Sequence, residues 1–267
     1  MQASDINPQH FDWSVAERVA TITLNRPEVH NAFNAQVIQR LSDVLQDLAG
    51  TDGVRAVVLD AAGKSFSAGA DLHWMKQAAT FSETENLEDA RALSQMLNRL
   101  STLPKPTVAL VQGAAFGGGV GLMAACDMVI AVADTAFSLS EIKLGLIPAT
   151  ISPYVIAAIG PRQARRYFLT GERFDAHEAR RIGLVHEVVE DAEALDAAGK
   201  RMVERLFAAP PGALAEAKDL IAAVAGRPID SAVIEDTARR IAARRAHDEA
   251  GEGIAAFLEK RKPGWHG

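Results

Sequence analysis

The segment Ala114-Ala115-Phe116-Gly117-Gly118-Gly119-Val120-Gly121 lies between an apolar run of strand length, Thr107 to Val111, and the helix-forming stretch Gly121-Leu122-Met123-Ala124-Ala125-Cys126-Asp127. Three adjacent glycines let a chain turn with its amides open, and a helix start adds positive potential. Such a junction can hold an anion or a developing oxyanion. It is not a nucleotide fingerprint, because the Gly-Lys-Ser/Thr ending of a phosphate loop is absent and the glycine spacing and downstream acid of a dinucleotide site do not fit. Taken alone, a tight and closely packed turn accounts for the triplet better than a site does.

A second small-residue loop, Lys64-Ser65-Phe66-Ser67-Ala68-Gly69-Ala70-Asp71-Leu72, follows another apolar run, Val54 to Leu59. Asp71 reads equally as a helix N-cap or as a functional acid. The two loops together say more than either alone. In a parallel sheet the loops that leave the carboxyl ends of strands gather on one edge, so two amide-rich loops can meet across one site. Two converging amides make an oxyanion hole.

Working outward, Phe11 to Leu24 reads as two short strands around a turn at Ala16 and Glu17. Asn34 to Leu48 places Val37, Leu41, Val44, Leu45 and Leu48 on one helical face, with Asn34 as N-cap. Thr80 to Asn86 reads as a polar surface loop ahead of a helix carrying Leu93, Met96, Leu97 and Leu100, which Pro104 and Pro106 stop. Met128 to Ala133 is a further strand. The rhythm of strand, loop and helix to about Val189 predicts an α/β core, and Asp191 to Phe257 predicts a C-terminal helical layer. The expected division is residues 1–195 and 196–267.

The chain has 267 residues, 28 Lys and Arg against 34 Asp and Glu, a formal net charge of -6, and one cysteine, Cys126. That length supports a sizeable core. The acidic balance offers no field for nucleic acid or anionic lipid, one cysteine allows neither an internal disulfide nor a Cys-rich zinc site, and no apolar run reaches the length of a membrane span. The N-terminus carries no signal-peptide core, so a cytoplasmic protein is expected. His10, His30, His73, His177, His186, His247 and His266 show no paired ligand spacing, so no metal site is expected, and no G-x-S-x-G elbow supports serine hydrolysis. Cys126 reads as inert core, and Arg162, Arg165 and Arg166 as a basic helix face, one of which could receive a substrate carboxylate.

Several motifs taken in order carry a resemblance. Ser67-Ala68-Gly69-Ala70-Asp71, Phe116-Gly117-Gly118-Gly119, Cys126-Asp127, Phe137-Ser138-Leu139-Ser140-Glu141 and Gly145-Leu146-Ile147-Pro148 are similar to the enoyl-CoA hydratase/isomerase (crotonase) family. So are Leu169-Thr170-Gly171-Glu172, Gly183-Leu184-Val185, Glu252-Gly253 and Ala256-Phe257-Leu258-Glu259-Lys260-Arg261. The resemblance runs from about Arg18 to Pro263. It implies an α/β fold, a crotonase-like spiral of ββα units with a C-terminal helical region that trimerises, and a homotrimer or dimer of trimers. It also implies acyl-CoA thioester substrates and no cofactor, coenzyme A being part of the substrate.

Carried over residue by residue, the resemblance makes Ala70 and Gly118 the oxyanion amides and Glu141 the acid/base. It puts Ala68, Gly69, Asp71, Leu72, Gly117 and Gly121 around the substrate. Lys64 and the Arg26 to Asn31 turn fall where the family contacts the nucleotide of coenzyme A, with Lys260 reaching it from a neighbouring subunit. Family hydratases carry a second glutamate where this chain has Gly121, a glycine expected to leave room for a substrate carboxylate. A lyase that hydrates an α,β-unsaturated thioester is implied, similar to bacterial hydratases of branched, carboxylated acyl groups such as 3-methylglutaconyl-CoA and carboxygeranoyl-CoA, in leucine and acyclic terpene breakdown. The alternatives are an enoyl-CoA isomerase with one glutamate as proton shuttle and a non-catalytic acyl-CoA binding protein. For Glu141 by itself, a salt bridge with Lys143 or Arg162 is the competing reading.

Overall fold

The computed structural model describes residues 11–266, so His10 lies outside the described residues. Strands β1 (Phe11–Ala16) and β2 (Val19–Leu24) form an antiparallel hairpin closed by Glu17 and Arg18. Both turn residues have positive φ, 48° and 66°, the conformation whose twist matches paired strands. The turn therefore sits one residue later than the sequence suggested. Helix α1 (Ala35–Gly50) starts at Asn34, whose side chain accepts from the Val37 N–H, and buries Val37, Ile38, Leu41, Val44, Leu45 and Leu48.

The chain continues through β3 (Ala56–Ala61), α2 (Leu72–Ala78), α3 (Glu83–Ser101), β4 (Thr107–Val111), β5 (Ala114–Phe116) and α4 (Gly118–Ala124). Next come β6 (Met128–Val132), β7 (Ala136–Ser138), a 3₁₀ turn (Ser140–Leu144), α5 (Ser152–Thr170), β8 (Phe174–Asp175), α6 (Ala176–Arg181) and β9 (Glu187–Val189). Helices α7 (Ala192–Phe207), α8 (Pro211–Val224), α9 (Ser231–Arg245) and α10 (Asp248–Leu258) complete it.

Six strands form one sheet in the order β1-β2-β3-β4-β6-β9, parallel from β2 onward. The second strand of each unit pairs separately. Phe33 bridges Ala70, Ser67 bridges Ala115, β5 pairs parallel with β7, and β7 antiparallel with β8. Each turn of chain thus runs from a long strand to a short extended segment and then to a helix, which is the expected spiral of ββα units. The short segments at Phe33, Ser67–Ala70, Ala114–Phe116 and Ala136–Ser138 were hard to see in sequence because two or three residues show no periodicity.

Two expectations are corrected. Thr80 to Asn86 is not all loop: α3 begins at Glu83, with Ser82 and Glu85 forming a reciprocal capping box. The division at 195/196 falls inside α7, whose Leu195 and Ala198 pack with Val58, Val108, Leu110, Ile130 and Val132 of the sheet. One face of the sheet needs α7, so the separate helical layer begins only after Phe207. Buried Arg55 joins the two parts: it donates to Trp265 O at 2.8 Å and Ala209 O at 2.7 Å, with its guanidinium over the Phe207 ring.

Candidate active site

The loop that carries Ala70 is held by the turn between β2 and α1. His30 and Asn31 adopt left-handed φ values of 53° and 54°, a strained conformation that asparagine tolerates better than most residues. The Asn31 side chain accepts from the Arg26 N–H at 2.7 Å and donates to Ala62 O and Ser65 O at 2.9 and 2.8 Å. The Ser67 hydroxyl donates to Asn31 O, and the Ala68 N–H to His30 O. Arg26 donates to Ala32 O at 2.8 Å and pairs with Asp71 at 3.0 Å. Asp71 in turn accepts from the His73 N–H at 2.8 Å, which caps α2.

The bridge between Phe33 and Ala70 fixes how the Ala70 peptide faces. Phe33 N–H donates to Gly69 O at 2.7 Å, and Asp71 N–H donates to Phe33 O at 2.8 Å. In extended chain the N–H of the residue between those two groups points to the opposite side. Ala70 N–H therefore faces away from Phe33 and, among the described residues, donates to no protein acceptor. The same holds for Gly118 N–H at the start of α4, where the first turn of a helix leaves its amides unpaired.

The two loops touch. Gly69 has φ of 89°, and a Cβ there would lie 2.9 Å from Phe116 O and 3.6 Å from Gly118 N. Gly117 has φ of 48°, and its N–H donates to Ser138 O at 2.9 Å. A Cβ at Gly117 would lie 2.9 Å from Glu141 Oε1. Positive φ favours glycine at both places, and at Gly69 the backbone of Phe116 leaves no room for a Cβ.

Glu141 sits in the 3₁₀ turn after β7, so the pairing of β5 with β7 brings its carboxylate against the Gly117–Gly118 loop. Its Oε2 is buried without a hydrogen-bond partner. Burial raises its pKa above the ordinary carboxyl range, partly offset by a hydrogen bond from its own backbone N–H. Neither Lys143 nor Arg162 pairs with it among the described residues.

These groups open onto a cavity of about 990 Å³ lined by Ala68, Gly69, Ala70, Gly117, Gly118, Ser140 and Glu141 on one side. Helices α2 and α3 supply Trp74, Met75, Ala78, Ala90 and Leu93, and Leu144 and Leu146 complete an apolar wall. Asp89 also lines it, its pKa raised by burial and partly lowered again by a hydrogen bond from Trp74. No Lys, Arg or His among the described residues lines this cavity.

The structure thus brings together Ala68, Gly69, Ala70, Leu72, Gly117, Gly118 and Glu141 of the residues singled out in sequence. Asp71 is corrected: its carboxylate is consumed by Arg26 and the α2 N-terminus, so it shapes the loop and does not line the cavity. Gly121 is corrected too. A Cβ there would lie 2.1 Å from Ile151 Cγ2, so Ile151 fills the space that glycine was expected to leave open. Lys64 and Lys260 are exposed and line no part of the cavity within one chain.

The other candidates settle into structural roles. Cys126 is buried, its thiol pushed up to about 12 by burial. Arg166 pairs with Glu172, and none of Arg162, Arg165 and Arg166 lines the cavity. No group of three His, Cys, Asp or Glu among the described residues is placed to hold a metal ion, and no helix there is long and apolar enough to cross a membrane. Sequence reasoning missed the inward turn of Arg26, the wall residues Trp74 and Asp89, and Ile151, all of which depend on contacts distant in the chain.

Residues 14–267 match the family model described as enoyl-CoA hydratase/isomerase. The chain is 42% identical to an enoyl-CoA hydratase of Shewanella pealeana of solved structure, with a TM-score of 0.93 and 96% of each chain covered. A Thermus thermophilus protein provisionally named enoyl-CoA hydratase is 36% identical over 92% of this chain and 96% of its own length. The 1,2-epoxyphenylacetyl-CoA isomerase of Escherichia coli is 32% identical over 95% of this chain and 97% of its own. Relatives of both reaction types therefore share the whole spiral, and with that fold and the ordered motifs the chain belongs to the enoyl-CoA hydratase/isomerase family.

Proposed function

We propose that the protein hydrates a 2-enoyl-CoA thioester, with Ala70 and Gly118 as oxyanion amides and Glu141 as acid and base. The observation that carries this reading is the Glu141 carboxylate, whose Oε2 is buried without a partner, beside two amides that have no protein acceptor among the described residues, all opening on one cavity. The thioester oxygen accepts from both amides. Glu141 takes a proton from water as the water oxygen bonds to Cβ, and the π electrons move into the enolate held by the amides. The same carboxyl then returns the proton to Cα, so atoms and charge balance with no further cofactor. Ser140 lines the same cavity, which supports a role for it in holding the water.

A second reading is supported by the closure of the Gly121 position by Ile151, which leaves Glu141 as the carboxylate beside the two amides. One carboxylate suffices to move a proton between two carbons of an enoyl chain, which is isomerisation. Assay with 2-enoyl-CoA and 3-enoyl-CoA in ¹⁸O-labelled water separates the readings. Label in a 3-hydroxyacyl product supports hydration, and an unlabelled shift of the double bond from the 3-enoyl substrate supports isomerisation. Binding of both thioesters without turnover leaves an acyl-CoA binding protein.

For the acyl group, the apolar wall suits a branched chain. A carboxylated group such as 3-methylglutaconyl finds no countercharge there among the described residues and would draw one from a second copy. Comparing kcat/KM for crotonyl-, 3-methylcrotonyl- and 3-methylglutaconyl-CoA tests branching and charge separately. The exposed apolar residues of α9 and α10 support assembly with further copies of the chain, for which the reading is a trimer or a pair of trimers, and the proposed location is the cytoplasm.

A further inference from the structure

The Arg26 guanidinium has 14% of its side chain exposed and turns inward, spending its two terminal nitrogens on different partners, Ala32 O and the Asp71 carboxylate. Its backbone is fixed as well, since Arg26 N–H donates to Asn31 Oδ1 and Asn31 N–H donates to Arg26 O. The turn between Arg26 and Phe33 consequently grips the loop on both sides of Ala70. Ala68 N–H reaches His30 O, Gly69 O receives Phe33 N–H, Asp71 N–H reaches Phe33 O, and the Asp71 side chain is held by Arg26. Gly69 N–H donates to Ser67 Oγ, so of the N–H groups from Ala68 to Asp71 the one without an acceptor among the described residues is that of Ala70, which faces away from Phe33.

We propose that Arg26 is a positioning residue for the reaction: through Asp71 it sets the direction of the Ala70 amide. The inference rests on the reading that this amide receives the thioester oxygen. A buried pair retained only for stability could be replaced by any packing of similar volume. Here the geometry of the fork matters, because one planar group must meet a carbonyl and a carboxylate at once, which the point charge of lysine does poorly. Loss of the fork frees the Asp71 side of the loop, and an oxyanion donor misplaced by about 1 Å costs about 100-fold in rate.

The probe is 4-(dimethylamino)cinnamoyl-CoA, a conjugated thioester whose absorption moves to longer wavelength when its carbonyl is polarised. It is read beside kcat and KM on crotonyl-CoA for the full chain and for Arg26→Met, Arg26→Lys and the neutral pair Arg26→Met/Asp71→Asn. The neutral pair removes the buried charge together with its partner, so it separates folding from positioning, and Arg26→Lys is read in place of any neutral variant that fails to fold. The expected result is a red shift in the wild type, a smaller one in every variant, and kcat lowered about 100-fold in the neutral pair with KM changed less than about threefold. A folded neutral pair with the wild-type shift and kcat overturns the inference while leaving the two-amide reading intact. Absence of a red shift in the wild type overturns the two-amide reading itself, and this inference with it.

Discussion

Around Ala70 and Gly118 many backbone groups of the neighbouring residues are paired across chain segments, from His30 and Phe33 to Ser67, Phe116 and Ser138, and the Ala70 and Gly118 amides are left beside a cavity. Helices α8, α9 and α10 show the opposite balance. They bury only Val233 and Ala256, while Ile221, Ile234, Ile254, Phe257 and Leu258 are more than half exposed. Their polar surface is laced by pairs such as Arg240 with Asp219 and Asp236 and Arg261 with Glu252, exposed contacts that each stabilise little. The packing of one chain brings the two loops and Glu141 together, whereas the C-terminal helices offer apolar surface that one chain leaves uncovered. Chemistry and assembly therefore depend on different regions and should fail separately.

The strongest test of that separation is Glu141→Gln, which keeps the shape of the side chain and removes its proton chemistry. We expect kcat to fall by about 10³-fold, within the usual contribution of a positioned acid/base, with the oligomeric state unchanged by light scattering. Activity equal to wild type removes Glu141 from the mechanism. Gly117→Ala should cost less, about 10- to 100-fold in kcat. It forces an L-residue into φ of 48° and places a methyl 2.9 Å from Glu141 Oε1, so the carboxylate must shift. A double mutant with Glu141→Gln should add little beyond the glutamine change, since both act on one group.

On the C-terminal side, Phe257→Asp places a charge at a side chain 82% exposed on α10. If a second copy covers that surface, light scattering should show a particle near 28.5 kDa in place of a larger one, with far-ultraviolet circular dichroism unchanged. A wild type that already runs as a monomer breaks the comparison at its second half. Gly121→Glu tests the inner side of the site. Overpacking against Ile151, whose Cγ2 lies 2.1 Å from the position of a Cβ, should lower Tm by roughly 5 to 10 °C and leave the preference between charged and uncharged thioesters unaltered. A stable Gly121→Glu protein that favours crotonyl-CoA would restore the idea of an open position there.

What could be read in the sequence followed the range of the forces involved. Asn34 as an N-cap, the apolar face of α1 and the parallel strands β3, β4 and β6 were legible because capping and periodicity act over a few residues. The Ser82–Glu85 capping box was equally local, and its S-x-x-E spacing was a signal overlooked in favour of polarity. Asp71 and Gly121 were located in the right segments, a loop and the first turns of α4, but assigned the wrong neighbours. Their contacts, Arg26 and Ile151, lie 45 and 30 residues away and are set by the spiral. The two amides could be named from the resemblance, yet the orientation of the Ala70 amide follows from the Phe33–Ala70 bridge, which has no sequence pattern of its own.

The smallest expected effect compares two glutamates, one from each region, through the pH dependence of stability. Glu252 in α10 is held at about 2 by its hydrogen bonds from Arg261 and the Gly264 N–H, so its contribution is present above the unfolded carboxyl range and is lost as pH falls toward its folded value. A third of its side chain is open to solvent, and screening keeps that contribution small. Glu141 has the opposite sign. Burial makes the folded protein hold this proton to higher pH than the unfolded chain does, so stability is greatest below the unfolded carboxyl range and declines as pH rises through the folded value. Glutamine at 141 cannot ionise and escapes that decline. Glu141→Gln should therefore melt above the wild type at pH 8, with the gap narrowing as pH is lowered to about 4, while Glu252→Gln should melt slightly below it at pH 8 and converge in acid. Scanning calorimetry of the three proteins across this range decides the matter. A gap for Glu141→Gln that does not depend on pH would mean that its buried oxygen is tolerated for reasons of packing, and the carboxylate would lose its claim to be a group kept in place for chemistry at a cost in stability.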